Sequence, residues 1–235
     1  MTALLETRGL TMRFGGVVAV DGVDFSLREA ELRCLIGPNG AGKSTFFKCL
    51  TGQLKPSSGT ILFRGEDVTG SDGYAMARRG LGIKTQVPSV FDGLSVQENV
   101  WLAASRKRAA KVAEAQATLR RIGIEDIKAA QVGRLAHGQR QLVELAMVVA
   151  GDPELIILDE PTAGMTSEET RRTADLIKEL NREHAVVVVE HDMQFIRSIA
   201  KRVTVFHQGR VLIDDEVGAV MADPTVRDVY LGKAA

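Results

Sequence analysis

The chain has 235 residues, with 30 Lys and Arg balanced by 30 Asp and Glu for a formal net charge of zero. That length can bury a substantial core as one large domain or a domain with an inserted lobe, and the charge balance argues against a protein that neutralises many nucleic-acid phosphates. Its longest apolar runs, such as Leu155 to Leu158 and Val186 to Val189, fall far short of the ~18 residues of a membrane helix.

At the start, MTALLETRGL lacks a basic stretch followed by a long apolar one, so no secretory leader is expected. VVAVDGVDFSL and ELRCLIG then carry strand composition, with Gly-rich breaks that suggest hairpins or tight connections, and TILFRG is another strand candidate. Cys34 and Cys49 have no metal-ligand spacing and sit in apolar contexts, which predicts buried, reduced thiols and a cytosolic compartment. From Val96 to Ala150 the period turns helical. Val112, Ala115, Leu119 and Ile122 share one face with Gly123 as the stop, and Leu142, Leu145, Ala146 and Val149 share another. Within this stretch RKRAAK, Arg106 to Lys111, reads as a solvated helix face rather than a nucleic-acid patch.

Two continuous apolar runs follow, LIIL and VVVV, separated by a charged helix candidate from Glu168 to Leu180. Such alternation indicates a parallel sheet covered on both faces. RVTVFHQGRVLIDD reads as a terminal hairpin turning near Gln208 and Gly209. The expected architecture is an α/β core with a mostly parallel sheet, interrupted by a helical lobe and carrying extra β structure at its edges. Residues 1–86 and 151–235 are expected to form the core and 87–150 the lobe.

GPNGAGKS, Gly37 to Ser44, matches G-x-x-x-x-G-K-[ST] between a strand and a helix, the context a phosphate loop needs. Glycines let backbone N–H groups turn inward around a phosphate, and the helix N-terminus adds positive partial charge. Asn39, Gly40, Ala41, Gly42, Lys43, Ser44 and Thr45 are the expected nucleotide contacts, with Lys43 reaching the β- and γ-phosphates and Ser44 holding Mg²⁺. LIILDE ends a buried strand in two acids. Asp159 is placed to serve the Mg²⁺ shell and Glu160 to orient or deprotonate an attacking water, so nucleotide hydrolysis is the leading chemistry.

LAHGQ, residues 135 to 139, has no nucleophile, metal cluster or paired carboxylate beside it in sequence. Taken in order with GPNGAGKS, Gln86 in GIKTQ, LIILDE, AGMT and His191 in VVEHD, it resembles the ATP-binding subunit of an ABC transporter across nearly the whole chain. The resemblance implies a P-loop ATPase fold with a helical signature subdomain and an antiparallel β subdomain. It implies that Phe14 stacks on adenine with Val20 beside the base, and that Gln86 touches Mg²⁺ or the attacking water. It also places His191 at the γ-phosphate and gives Ala136, His137, Gly138 and Gln139 the nucleotide of the opposite subunit. His184 and His207 match nothing and read as surface or turn residues.

Within the family, LAHGQ, EPTAGMT, VVEHDM, VFHQG and DPTVRDVYLG resemble the ATPases of bacterial importers for branched-chain amino acids, and most of all the urea or short-chain amide branch. That likeness implies a second ATPase subunit, two membrane subunits, an extracytoplasmic binding protein, and a peripheral place on the cytoplasmic face of the inner membrane. Val90, Phe91 and Leu94 are the candidate membrane-subunit contacts, with packing inside the lobe as the equal alternative. Two positions depart from the family pattern. Ala136 replaces a serine, and Thr166 replaces an Asp, where with Glu169 it fits a helix capping box. The alternatives are an ABC-type ATPase of assembly, translation or nucleic-acid maintenance, and a P-loop kinase, which leaves LAHGQ and His191 without a role.

Overall fold

The computed structural model describes residues 3–104 and 108–231. The first half of the chain runs β1 (Leu5–Phe14), β2 (Val17–Leu27), β3 (Leu32–Ile36), α1 (Lys43–Leu50), β4 (Ser58–Phe63), β5 (Glu66–Asp67), α2 (Gly73–Arg78) and β6 (Leu81–Lys84). Three helices follow, α3 (Val96–Ala103), α4 (Arg108–Ile122) and α5 (His137–Ala150). Then come β7 (Leu155–Asp159), α6 (Ser167–Leu180), β8 (Ala185–Val189), α7 (Met193–Ile199), β9 (Arg202–His207), β10 (Arg210–Glu216), α8 (Val217–Ala222) and α9 (Pro224–Leu231).

The strands make two sheets: an antiparallel one in the order β2-β1-β4-β5, and a six-stranded one in the order β10-β9-β3-β8-β7-β6. In the second sheet every pairing is parallel except β9 with β10, so the expected α/β class with a mostly parallel sheet is what forms. The reason lies in LIIL and VVVV, whose residues are buried on both faces. Ile156, Leu158, Val186 and Val188 face the core beneath α3 to α7. Their alternates Leu155, Ile157, Val187 and Val189 face a second core with Phe46, Phe47 and Leu50 of α1 and the inner side of the antiparallel sheet. Each such side chain contributes roughly 1.5–3 kcal/mol on burial, and the period of two serves both layers at once. Arg33 sits inside β3 because Glu31 and Asp214 (2.7 Å) neutralise it and Thr204 accepts a further hydrogen bond (3.0 Å).

The helical segment packs as its spacing predicts, with one correction. Ala115, Leu119 and Ile122 of α4 are buried, but Val112 is 45% exposed, so the packed face begins at Ala115. Gly123, at φ 74°, ends the helix by donating to Leu119 O (3.0 Å). The terminal hairpin turns at Gln208 and Gly209, both in the left-handed region. A second correction concerns His184, which is no surface residue: it is buried, with Nδ1 2.6 Å from Pro153 O. Cys34 and Cys49 are free and buried as expected, and burial raises both thiol pKa values, Cys49 to about 11. Arg106 and Lys107 of RKRAAK lie outside the described residues. Among the described residues no helix is long and apolar enough to cross a membrane.

Candidate active site

The phosphate loop leaves β3 and enters α1 through two glycines that nothing else can replace. Gly37 (φ 151°) and Gly42 (φ 101°) hold backbone shapes that L side chains rarely adopt, and an added Cβ would strike Phe206 O and Ala19 O respectively. The loop is therefore clasped between β9 and β2, which fixes its curvature in advance of any ligand. Lys43 Nζ folds back to donate to Gly37 O (2.5 Å) and Pro38 O (3.0 Å). Burial lowers the Lys43 pKa, an effect opposed by Glu160 and then Asp159.

Three segments far apart in sequence meet at the end of β7. Gln86 Nε2 donates to Glu160 Oε2 (2.7 Å), and His191 Nδ1 lies 3.6 Å from Glu160 Oε1. Glu160 stands at φ 45°, an uncommon conformation for a non-glycine residue, with its N–H donating to Val189 O (2.9 Å). Behind it the buried Glu190 accepts from Thr162 Oγ1 (2.5 Å) and from His191 N (2.9 Å), which orients the chain at the histidine. A carboxylate flanked by an amide donor and an imidazole suits activation of water, and the adjoining loop suits a polyphosphate.

Burial raises the Asp159 pKa, and neighbouring Glu160 adds to the effect against Lys84, Lys43 and Lys48. Since its pKa is higher in the folded than in the unfolded chain, ionised Asp159 opposes folding. That opposition is absent below the ordinary carboxylate range and complete above the raised value. Asp159→Asn is expected to raise the melting temperature at neutral pH without nucleotide, on a scale of roughly 2–4 °C per kcal/mol, with the gain vanishing in acid. Calorimetry across pH checks it.

One of the two expected base contacts needs a correction. Phe14 is 47% exposed at the end of β1, free to stack on a base, but Val20 is fully buried in the core of the antiparallel sheet and has no surface to offer one. The inward period of β2 takes Val20, Val23 and Phe25, whereas exposed Val17 pairs with Phe14 in the strand register. Val17 is the aliphatic neighbour of Phe14, and the register across the turn at Gly15 is the signal that marks it.

LAHGQ opens α5, with Ala136 as the N-cap at φ −61° and ψ 157°. Gln139 Oε1 accepts from Ala136 N (3.1 Å), but no side-chain oxygen caps the helix from position 136. Ala136→Ser is expected to add that bond and stabilise the protein by about 1 kcal/mol, read by denaturant titration. Gly138 is buried, and a Cβ there would meet Glu169 Oε1 at 2.5 Å. Glu169 is itself held in the capping box of α6, accepting from Thr166 N (2.8 Å) while Thr166 Oγ1 accepts from Glu169 N (3.3 Å). His137 is exposed, with Nε2 3.0 Å from Gln141 Nε2, and lies against Gly164 of AGMT. Among the described residues no three His, Cys, Asp or Glu side chains cluster as a metal site.

Comparisons with known proteins show the family. The ABC transporter family pattern matches residues 20–163. The chain is 37% identical to the high-affinity branched-chain amino acid transport ATP-binding protein LivG of Salmonella typhimurium, and 36% identical to BraF of Pseudomonas aeruginosa. Each comparison covers 98% of both proteins. Among solved structures it is similar to cbiO1 of Clostridium perfringens, part of an ABC transporter complex, with 29% identity, a TM-score of 0.86, and coverage of 99% of this chain and 96% of that one. A phosphate loop, an acid-ended strand and the residues gathered at Glu160, found together with these matches, place the chain in the ABC transporter family as one of its ATP-binding ATPases.

Proposed function

We propose that the chain is the ATP-hydrolysing subunit of an importer for branched-chain amino acids, urea or short-chain amides. The meeting of Gln86, Glu160 and His191 beside the phosphate loop carries the catalytic half of this reading. Lys43 and the backbone from Asn39 to Thr45 bind the phosphates, Phe14 stacks on the base, Glu160 takes the proton of the attacking water, and His191 contacts the γ-phosphate. The hydroxyl of Ser44, the amide oxygen of Gln86 and the carboxylate of Asp159 are hard oxygen donors of the kind that suit Mg²⁺ shared with phosphate oxygens. Bound there, the ion would supply charge neutralisation of the polyphosphate.

The import half is supported by the relatives, whose names specify branched-chain amino acid transport. On this reading residues 87–150 form a signature lobe and the remainder the nucleotide core. LAHGQ serves ATP on a second ATPase subunit. Of the expected membrane-subunit contacts Phe91 is exposed, but Val90 packs against the core and Leu94 is half-buried, so Phe91 with exposed Val87 meets one of two membrane subunits. An extracytoplasmic binding protein delivers the solute, the chain is peripheral on the cytoplasmic face of the inner membrane, and no nucleic acid takes part. The test is to isolate the chain with its membrane partners, reconstitute them, and measure uptake of leucine, urea and acetamide with ATP. Recovery without a membrane partner, or ATP turnover insensitive to all three solutes, would overturn the import reading.

A further inference from the structure

Beneath the site lies a set of buried polar side chains that hydrolysis does not use. Glu144 of α5 is buried, and its Oε1 accepts from Ser89 N (3.0 Å), Thr85 Oγ1 (3.3 Å) and Thr85 N (3.4 Å). Lys84, 1% exposed at the end of β6, holds Nζ 3.7 Å from Glu144 Oε2. Gln141, nearly one turn earlier on α5 and fully buried, donates from Nε2 to Gln86 O (3.4 Å) and lies 3.0 Å from His137 Nε2. Positions 137, 141 and 144 follow the i, i+4, i+7 spacing of one helix face. One stripe of α5 thus reaches from LAHGQ to the segment 85–89. Gln86 is the junction: its backbone is held by α5 and its side chain reaches Glu160.

An apolar contact would pack α5 against β6 equally well, and a buried ion pair is a poor way to add stability. What apolar side chains lack is a grip on backbone N–H groups, and a carboxylate that accepts from residues 85 and 89 fixes the shape of the segment between them. We propose that Glu144, backed by Lys84, is a positioning residue that locks the 85–89 segment onto α5, so that Gln86 and LAHGQ move as one rigid unit when nucleotide arrives. The electrostatics agree: burial lowers the Lys84 pKa, and Glu144 foremost, then Asp159 and Glu190, oppose the drop. The inference rests on the reading of Gln86 as a nucleotide-sensing residue.

Hydrogen exchange by mass spectrometry on the full chain, with and without ATP and Mg²⁺, tests it alongside melting temperature and ATP affinity. In the wild type, nucleotide should slow exchange in 85–89 and in 136–141 together. In Glu144→Gln the response of 85–89 should persist while that of 136–141 falls about tenfold or more, since the amide oxygen still accepts but without the charge that strengthens those hydrogen bonds and pairs with Lys84. Thr85→Val, nearly isosteric, removes the hydroxyl whose proton is shared between Val87 O (2.8 Å) and Glu144 Oε1 (3.3 Å), should weaken the 136–141 response several-fold, and decides alone if Glu144→Gln does not fold. A wild-type response at 136–141 in a folded variant overturns the inference and leaves the site reading intact. No response at 85–89 in the wild type overturns the reading of Gln86, and the inference with it.

Discussion

Glu160→Gln is expected to leave ATP bound and to slow its hydrolysis by about a hundredfold or more, the scale of lost general-base help. The substitution keeps the volume and the strained backbone at φ 45° but removes the basic oxygen that lies between Gln86 and His191. The phosphate loop is untouched, because its shape is set by Gly37 against Phe206 and Gly42 against Ala19 rather than by anything at the end of β7. Filter binding with labelled ATP and phosphate release on the same preparation separate the two effects. Unimpaired turnover by the pure variant would remove Glu160 from the role.

Gly138→Asp is expected to abolish hydrolysis in the assembled complex while ATP affinity of the isolated subunit stays within about twofold, less than 1 kcal/mol. A carboxylate in this first turn neutralises the positive end of α5 and so competes with the anionic nucleotide that LAHGQ is proposed to serve on the second subunit. It also meets Glu169 within the same subunit, so a lower melting temperature accompanies the loss of activity. Combining Gly138→Asp with Glu169→Ala relieves the local repulsion and leaves the one at the interface. If the double variant regains hydrolysis, the defect was local and LAHGQ is not a phosphate sensor across the dimer.

The parts of the site legible in the sequence are those whose meaning is local. GPNGAGKS and LIILDE declare themselves because a strand, a turn and a helix start lie within a dozen residues, and the apolar runs announce a doubly covered sheet. The parts that were not legible depend on partners far along the chain. Val20 reads as a base contact until the register of β1 and β2 turns it inward, and His184 reads as exposed until Pro153 closes over it. Nothing around Gly138 in the sequence points to Glu169 beside it. Lys84 and Glu144 are 60 residues apart, and nothing in either neighbourhood hints at an ion pair. Composition and period report burial on average, whereas a buried polar contact is decided by which strands become neighbours.

The two buried cysteines have a practical consequence for labelling chemistry. A thiol reacts with maleimide as its thiolate, and with Cys49 held at about 11 and Cys34 pushed up further, both are nearly inert at neutral pH. The native chain therefore serves as its own background: a probe or cross-linker attached through a cysteine introduced at exposed Val87 or Phe91 would report on that position alone, with no cysteine removed first.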